Sequence, residues 1–411
     1  DPLDPPVIEV WGDGNGCERD GEYNACLFFG AVSITKPVRL IVRPGTGAVL
    51  LTSSGENRRV ITVDGRATSL TPENTEISGF IIKDGDATSD TTIPDYIHFG
   101  GGILVLEASP LIQNNLVTGN RASQGQPATA FGGGMALVNS SAVVRSNRIT
   151  GNIAGDSTVL RGHGGGVAAF GGSPTLERNE ISFNYATTLA EGIGGGVYLN
   201  TGSDAGYVLD GNLIFGNFAS TGDARPSQAG GVYVYNSRAM FANNIIAQNN
   251  DQEDSDGILF DSGSGTLIHT TITANGGPTG IGAYVRNGLP GAADPAVTFI
   301  NTIVSSHAVG VLADFGSTVH LKTTLFSNQT QANTQTLFDG TLDNANALEA
   351  DPRFLEPKAP TYHIALDSPA VNAGEATSVS RDIDNQLRIG QPDIGADEAV
   401  VSTFLPLVVR P

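Results

Sequence analysis

Through the middle of the chain, apolar residues recur two apart in short runs that each follow a glycine cluster. The runs begin at Ile103, Met135, Val167, Val197, Val232, Ile258, Ala283 and Val311, and each has a second apolar residue two places on: Val105, Leu137, Ala169, Leu199, Val234, Phe260, Val285 and Ala313. A spacing of two is the strand period, so these pairs share one face and predict a β-strand with that face turned inward. The glycines before the runs are densest at Gly100 to Gly102, Gly132 to Gly134, Gly164 to Gly166 and Gly194 to Gly196. Each run is followed by a second strand and then by Asn-x-Ile or a close variant, with another Asn five residues after the first, as in Asn147 and Asn152 or Asn179 and Asn184.

The two clearest copies, at Gly132 and Gly164, lie 32 residues apart. A repeat of this length predicts a solenoid, in which each copy buries its apolar side only against its neighbours. Because the elements are strands, the stack is an all-β, single-stranded parallel β-helix of roughly ten coils, about 50 Å long at ~4.8 Å per coil. The glycines fit corners where stacked backbones leave no room for Cβ. The asparagines suit the bends, through the left-handed conformation or through side-chain amides stacked in a ladder. The expected ladder runs through Asn115, Asn147, Asn179, Asn212 and Asn244, then Thr270, Asn301 and Thr323. The second Asn recurs at Asn217, Asn249, Asn275 and Asn328.

Around this core the pattern sets boundaries. Residues 1–30 are irregular and predict an N-terminal cap closed by Cys17 and Cys26, the only cysteines. Residues 31–330 carry the β-helix. Residues 331–399 form a turn-rich C-terminal module, and 400–411 an apolar tail. Variable loops, including 121–131, 153–163, 185–193 and 251–256, interrupt the coils on one edge, where function commonly lies.

Composition narrows the function. The net charge of −20 lacks the basic footprint that nucleic acid requires. No apolar run reaches the ~20 residues of a membrane-spanning helix. A local cysteine pair and a start at Asp1 without an initiator Met fit an exported chain whose signal peptide has been removed.

Three groups could carry chemistry. Outward positions of the post-glycine strand, which should be polar, include Phe170, Tyr198, Tyr233, Tyr235 and Tyr284. Such a stripe is covered by the chain's own loops or C-terminal module, covered by a second subunit, or left open to stack on the sugar rings of a surface polysaccharide. Asp382, Asp384, Asp393 and Asp397 could place several oxygens around a hard cation, a structural Ca2+. Asp251, Glu253, Asp254, Asp256 and Asp261 form an acidic loop region. The six histidines lie in different copies without metal or triad spacing and read as structural.

Three further strings carry a resemblance. The Gly-Gly-Gly plus Asn-x-Ile-x-x-Asn repeat resembles bacterial right-handed parallel β-helix proteins, including those similar to polymorphic outer-membrane proteins. Asp351-Pro-x-Phe354, Ser368-Pro-Ala-Val-Asn-Ala-Gly374 and Asp393-Ile-Gly-Ala-Asp-Glu398 resemble the choice-of-anchor Q module of such proteins, and Phe404 to Arg410 resembles tails of exported Chloroflexota proteins. The resemblance implies a right-handed coil and a cell-surface location. It hosts enzymes and non-enzymes alike. The expected function is a non-catalytic structural or adhesive surface protein that self-assembles head to tail, with no resident cofactor expected beyond the structural Ca2+ considered above. The alternative is a carbohydrate-active β-helix, either a lyase, a hydrolase or a sugar-binding module.

Overall fold

A computed structural model describes residues 5–12, 17–202, 206–222, 227–250, 257–344, 346–355 and 361–399. It is a right-handed parallel β-helix whose coils each contribute strands to three faces. The glycine face stacks 11 strands, from Val32–Ile34 to Ala332–Thr336. The other two faces share a 22-stranded sheet, because Ala296–Ser305 and Thr318–Ser327 run unbroken round the bend between them. We call the strands before the first ladder Asn, such as Val143–Arg145, the second face, and those after it, such as Arg148–Thr150, the third face.

The alternation read from the sequence sets the core. Ile103, Met135, Val167 and Val197, with Val105, Leu137, Ala169 and Leu199, are all fully buried in one cluster that runs the length of the solenoid. Each large aliphatic side chain contributes about 1.5–3 kcal/mol by leaving water. Glycine is required where coils touch. Gly132 has φ +63, and a Cβ there would lie 2.0 Å from Met135 O; at Gly134 it would lie 2.7 Å from Gly166 O.

Two asparagine ladders run along the bends. In the first, the Nδ2 of Asn115, Asn147, Asn179 and Asn212 donates to the Oδ1 of the next Asn at 2.9–3.1 Å, ending on Asn244. The second runs from Asn120 through Asn152, Asn184, Asn217 and Asn249 to Asn275. Asn179 also donates to Val144 O at 2.8 Å and accepts from the Asn147 backbone N–H at 3.0 Å. Asn179→Ala leaves several of these buried groups unpaired, and we expect a loss of about 2–3 kcal/mol in urea unfolding. A variant as stable as the parent would mean that the ladder carries no net stability.

The register slips by one residue from the sequence expectation in the last coils. Thr271 pairs with Ile303, and Thr302 with Thr324, so Thr302 and Thr324 stand in the ladder row, not Asn301 and Thr323. In the second row His307 follows Asn275, and Asn328 is likewise off the ladder. The left-handed residue at each bend is the one before the ladder position: Asn114, Ser146, Arg178, Asn243, His269, Asn301 and Thr323 all have φ near +50. Asn suits that place as well as the ladder, which is why sequence alone misassigned Asn301.

Both ends extend the solenoid further than expected. Val7–Val10 and Cys26–Phe29 pair in parallel with Val38–Val42 and Val49–Thr52, so much of the expected cap is a coil. The disulfide between Cys17 and Cys26 closes a small loop that lies along its outer edge, where Leu27 N–H donates to Glu18 O. Beyond residue 330, Ala332–Thr336, Thr341–Asn344 and Ala347–Glu349 make a final coil. Its polar composition hid it: an outermost coil has only one side to bury.

Residues 351–355 and 361–399 then fold back along the third face as a series of turns, with no strand longer than an isolated bridge among them. Ile364, Ala370 and Ile394 pack on Ile303 and Leu325, and Tyr362 and Ala396 on Ile245 and Ala247. The left-handed bend row anchors the module. Arg388 donates to Asn243 Oδ1 at 3.0 Å, His269 Nδ1 to Asp393 O at 3.0 Å, and Asn301 Nδ2 to Glu375 O at 2.7 Å.

Candidate functional site

The aromatic stripe is assembled as expected but faces inward to the chain's own loops. Strand stacking sets Tyr198 on Tyr233, with ring centroids 5.7 Å apart. The loops between coils pair with each other in parallel, Thr129–Phe131 with Arg161–His163 and then Glu191–Ile193, and lie over the stripe. Tyr198, Tyr233 and Tyr284 keep only 6%, 5% and 7% of their surface exposed, so no ring face remains for a sugar. Phe170 and Tyr235 are half-buried, and Phe170 packs edge-on against Phe131. Burial pushes the Tyr198 hydroxyl up to about 12. Tyr233 and Tyr284 rise for the same reason, and their hydroxyls donate to Asp261 and Asp314 at 2.9 and 2.8 Å. Of the three readings of the stripe, cover by the chain's own loops is the one seen at Tyr198, Tyr233 and Tyr284, which leaves no ring there to stack on sugar: the stripe is a second core. The C-terminal module lies on another face.

The acidic loop residues Asp251, Glu253, Asp254 and Asp256 lie outside the described residues. Asp261 is held by Arg286, at 2.8 Å, and by Gly288 N–H at 3.0 Å.

The four C-terminal aspartates divide into two pairs. Asp382 accepts from the N–H of Gln386 at 2.7 Å and of Glu398 at 3.1 Å, and Asp393 from the N–H of Asn372 at 2.6 Å and of Ala399 at 2.7 Å. These two hold turns. Asp382 and Asp393 thus each meet two backbone donors, as turn-forming aspartates do. Asp384 and Asp397 instead converge on His363, with ligand atoms of all three within 4.8 Å of one another.

The local fold explains this meeting. Phe354 and Ile364 form an antiparallel bridge that presents the 363–364 backbone. Ile364 N–H donates to Asp397 Oδ2 at 2.8 Å, which fixes Asp397 beside the preceding residue, His363. The His363 ring bonds Asp384 Oδ2 at 2.8 Å through Nε2. That bond is the main cause that raises His363 and lowers Asp384. Burial pushes Asp397 up to about 6, and the Asp382 and Asp384 charges add to this. Asp382 and Asp393 are raised by burial as well. An imidazole beside two carboxylates can ligate a divalent cation or pass a proton. Two clefts open here: one lined by Leu366, Asp397 and Gln386, the other by Arg178, Glu180 and Ile383, with His363 and Asp384 in both. Sequence spacing did not single out His363. Its separations from Asp384 and Asp397, 21 and 34 residues, match no ligand motif, and only the fold brings them together.

Comparison with known proteins places the fold. A family model described as the right handed beta helix region matches residues 61–223. Fourteen solved chains match. The crystal structure of pectate lyase Pel9A shares 12% identity over 96% of both chains, with a TM-score of 0.31. The catalytic domain of a GH87 alpha-1,3-glucanase in complex with tetrasaccharides shares 10% identity over 85% of this chain and 68% of its own, with a TM-score of 0.35. No curated protein matches the chain.

Proposed function

We propose that the protein is a non-catalytic structural element of an extracellular surface that assembles by stacking copies end to end. The supporting observation is the state of the two terminal coils. Among the described residues, Val7–Val10 and Val32–Ile34 pair with one neighbour only, and so do Ala332–Thr336, Thr341–Asn344 and Ala347–Glu349 at the other end. Because every coil stacks in the same parallel sense, the last coil of one copy offers the strand direction that the first coil of the next requires. These ends also expose large apolar side chains: Phe28 and Phe29 at one, Leu337 and Phe338 at the other, with Phe338 81% exposed. Open strand edges invite pairing, and a head-to-tail contact of this kind does not close on itself. The local disulfide fits an oxidising, extracellular setting, and the anchor-like strings at the C-terminus fit a surface protein.

Sedimentation over a concentration series tests this. The mass should grow with concentration for the parent chain. Phe29→Glu and Phe338→Glu should each stop growth alone, and their mixture should yield dimers through the remaining intact ends. A parent chain that stays monomeric at high concentration would overturn the reading.

The carbohydrate-active alternative is favoured by one feature, the cleft that sets Asp384 and His363 opposite Glu180 and Arg178. Turnover of a polysaccharide that Asp384→Asn abolishes would establish it in place of the structural reading.

A further inference from the structure

We infer that His363, Asp384 and Asp397 form a site for a divalent cation of the zinc class, which ties together three separate turns of the C-terminal module. This inference does not rest on end-to-end assembly. The three ligands come from the segment before Ile364, the turn 382–386 and the chain just before residue 399, and the described part of the module contains no named strand or helix. A metal bridging them would supply the cross-connection that sheets supply elsewhere in the chain.

The donor set selects the cation. A hard ion such as Ca2+ takes six to eight oxygens, whereas this site offers an imidazole and two carboxylates, with Asp382 and Asp393 already committed to backbone N–H groups. An imidazole with carboxylates suits Zn2+, Co2+ or Mn2+, and three protein ligands leave one position of a tetrahedron open. Bonds of ~2.0–2.1 Å set tetrahedral ligand atoms roughly 3.3 Å apart. The ligand atoms here lie between 2.8 Å, the His363 to Asp384 bond, and 4.8 Å, so the set closes around an ion with shifts of about 1 Å. Such shifts fall on the partly exposed side chains: His363 and Asp384 are 36% and 43% exposed. Asp397 is fixed by Ile364 N–H, the kind of outer hydrogen bond that orients a metal-binding carboxylate. Nearby cations have other partners: Arg178, which lines the same cleft, bonds Asn385, Arg388 is taken by Glu398, and Arg353 by Asp367.

The test is calorimetric titration of the full chain, stripped with chelator, using zinc chloride, cobalt chloride and calcium chloride in turn. We expect one Zn2+ per chain, bound at least tenfold more tightly than Ca2+, with a matching rise in melting temperature that chelator reverses. Co2+ should give the visible absorption of a tetrahedral site. Asp384→Asn and His363→Gln should each weaken Zn2+ at least tenfold; among the described residues the Asp384 side chain bonds His363 alone, so its amide variant keeps the fold. Absence of saturable Zn2+ binding to the parent chain overturns the inference. So does Zn2+ binding that is equally tight in both variants, or a preference for Ca2+.

Discussion

Lowering the pH from 7 to 5 is expected to cost this protein roughly 5 kcal/mol of stability, through three histidines that the fold holds neutral. His163, His269 and His307 are 8%, 0% and 0% exposed, and burial lowers each to about 3. The hydrogen bonds show why. His307 Nε2 faces Asn275 Nδ2, a donor, so it must accept; protonation sets two donors against each other at the end of the second ladder. His269 donates from Nδ1 to Asp393 O and must accept at Nε2 from Asn301 Nδ2, with Arg388 adding positive charge nearby. His163 packs against Phe131 and Tyr198. For a histidine lowered on folding, stability is fully present above the unfolded value, ~6.5, and falls as pH drops below it, because the unfolded chain binds the proton first. At pH 5 each histidine costs about 2 kcal/mol, a figure set by the unfolded value so long as the folded one stays below ~4. Asp397, raised to about 6, opposes them by about 1 kcal/mol, since protonation relieves its burial, and His363, Asp382 and Asp393, also raised, act in the same direction but by smaller shifts. The histidines therefore win. Denaturant midpoints at pH 7, 6 and 5 check this, and His307→Asn, which restores the ladder residue, should remove about a third of the slope. A flat profile would show that these rings are not held neutral.

The fold was legible because its cause is periodic. The same apolar pair and the same Asn recur in each coil, so eight copies correct one another's noise, and the face of every interior residue from Ile103 to Ala313 follows from a spacing of two. Register failed in the last coils, at Asn301-Thr302, Thr323-Thr324 and Asn328-Gln329, where the bend residue is as fit for the ladder as its neighbour. The functional surface was less legible for a different reason. Whether Tyr233 meets sugar or solvent depends on loops whose placement no repeat dictates. His363 meets Asp384 and Asp397 through a single non-repeating tertiary contact. Asn243, His269 and Asn301 stand in the left-handed bend row and also dock the module, a role set by a segment more than 70 residues further on.

That docking includes a buried ion pair, and breaking it should free the module while leaving the upstream coils intact. Arg388 and Glu398 are 2% and 7% exposed and 3.1 Å apart. The Arg388 guanidinium also donates to Asn243 Oδ1, Gly395 O and Ala396 O, each at 3.0 Å, and so joins the module to the bend row. Arg388→Met keeps the volume but strands Glu398 and three acceptors away from water, which costs about 3–5 kcal/mol. Glu398 also accepts the N–H of Asp393 at 2.9 Å, so the loss spreads to the turn that carries Asp393, whose carbonyl accepts from His269. The cost falls on local opening, because the core between residues 103 and 199 contains none of these groups. Hydrogen exchange should therefore quicken by at least 100-fold at amides of residues 361–399, about 3 kcal/mol at a tenfold change per ~1.4 kcal/mol, and stay unchanged at Met135, Val167 and Val197. Replacing both partners, Arg388→Met with Glu398→Leu, should recover much of the loss, since a buried pair removed whole leaves no lone charge. Uniform acceleration along the whole chain would mean that the module and the coils unfold as one unit, and unchanged exchange at 361–399 would mean that the apolar contacts of Ile364 and Ile394 hold the module without the pair.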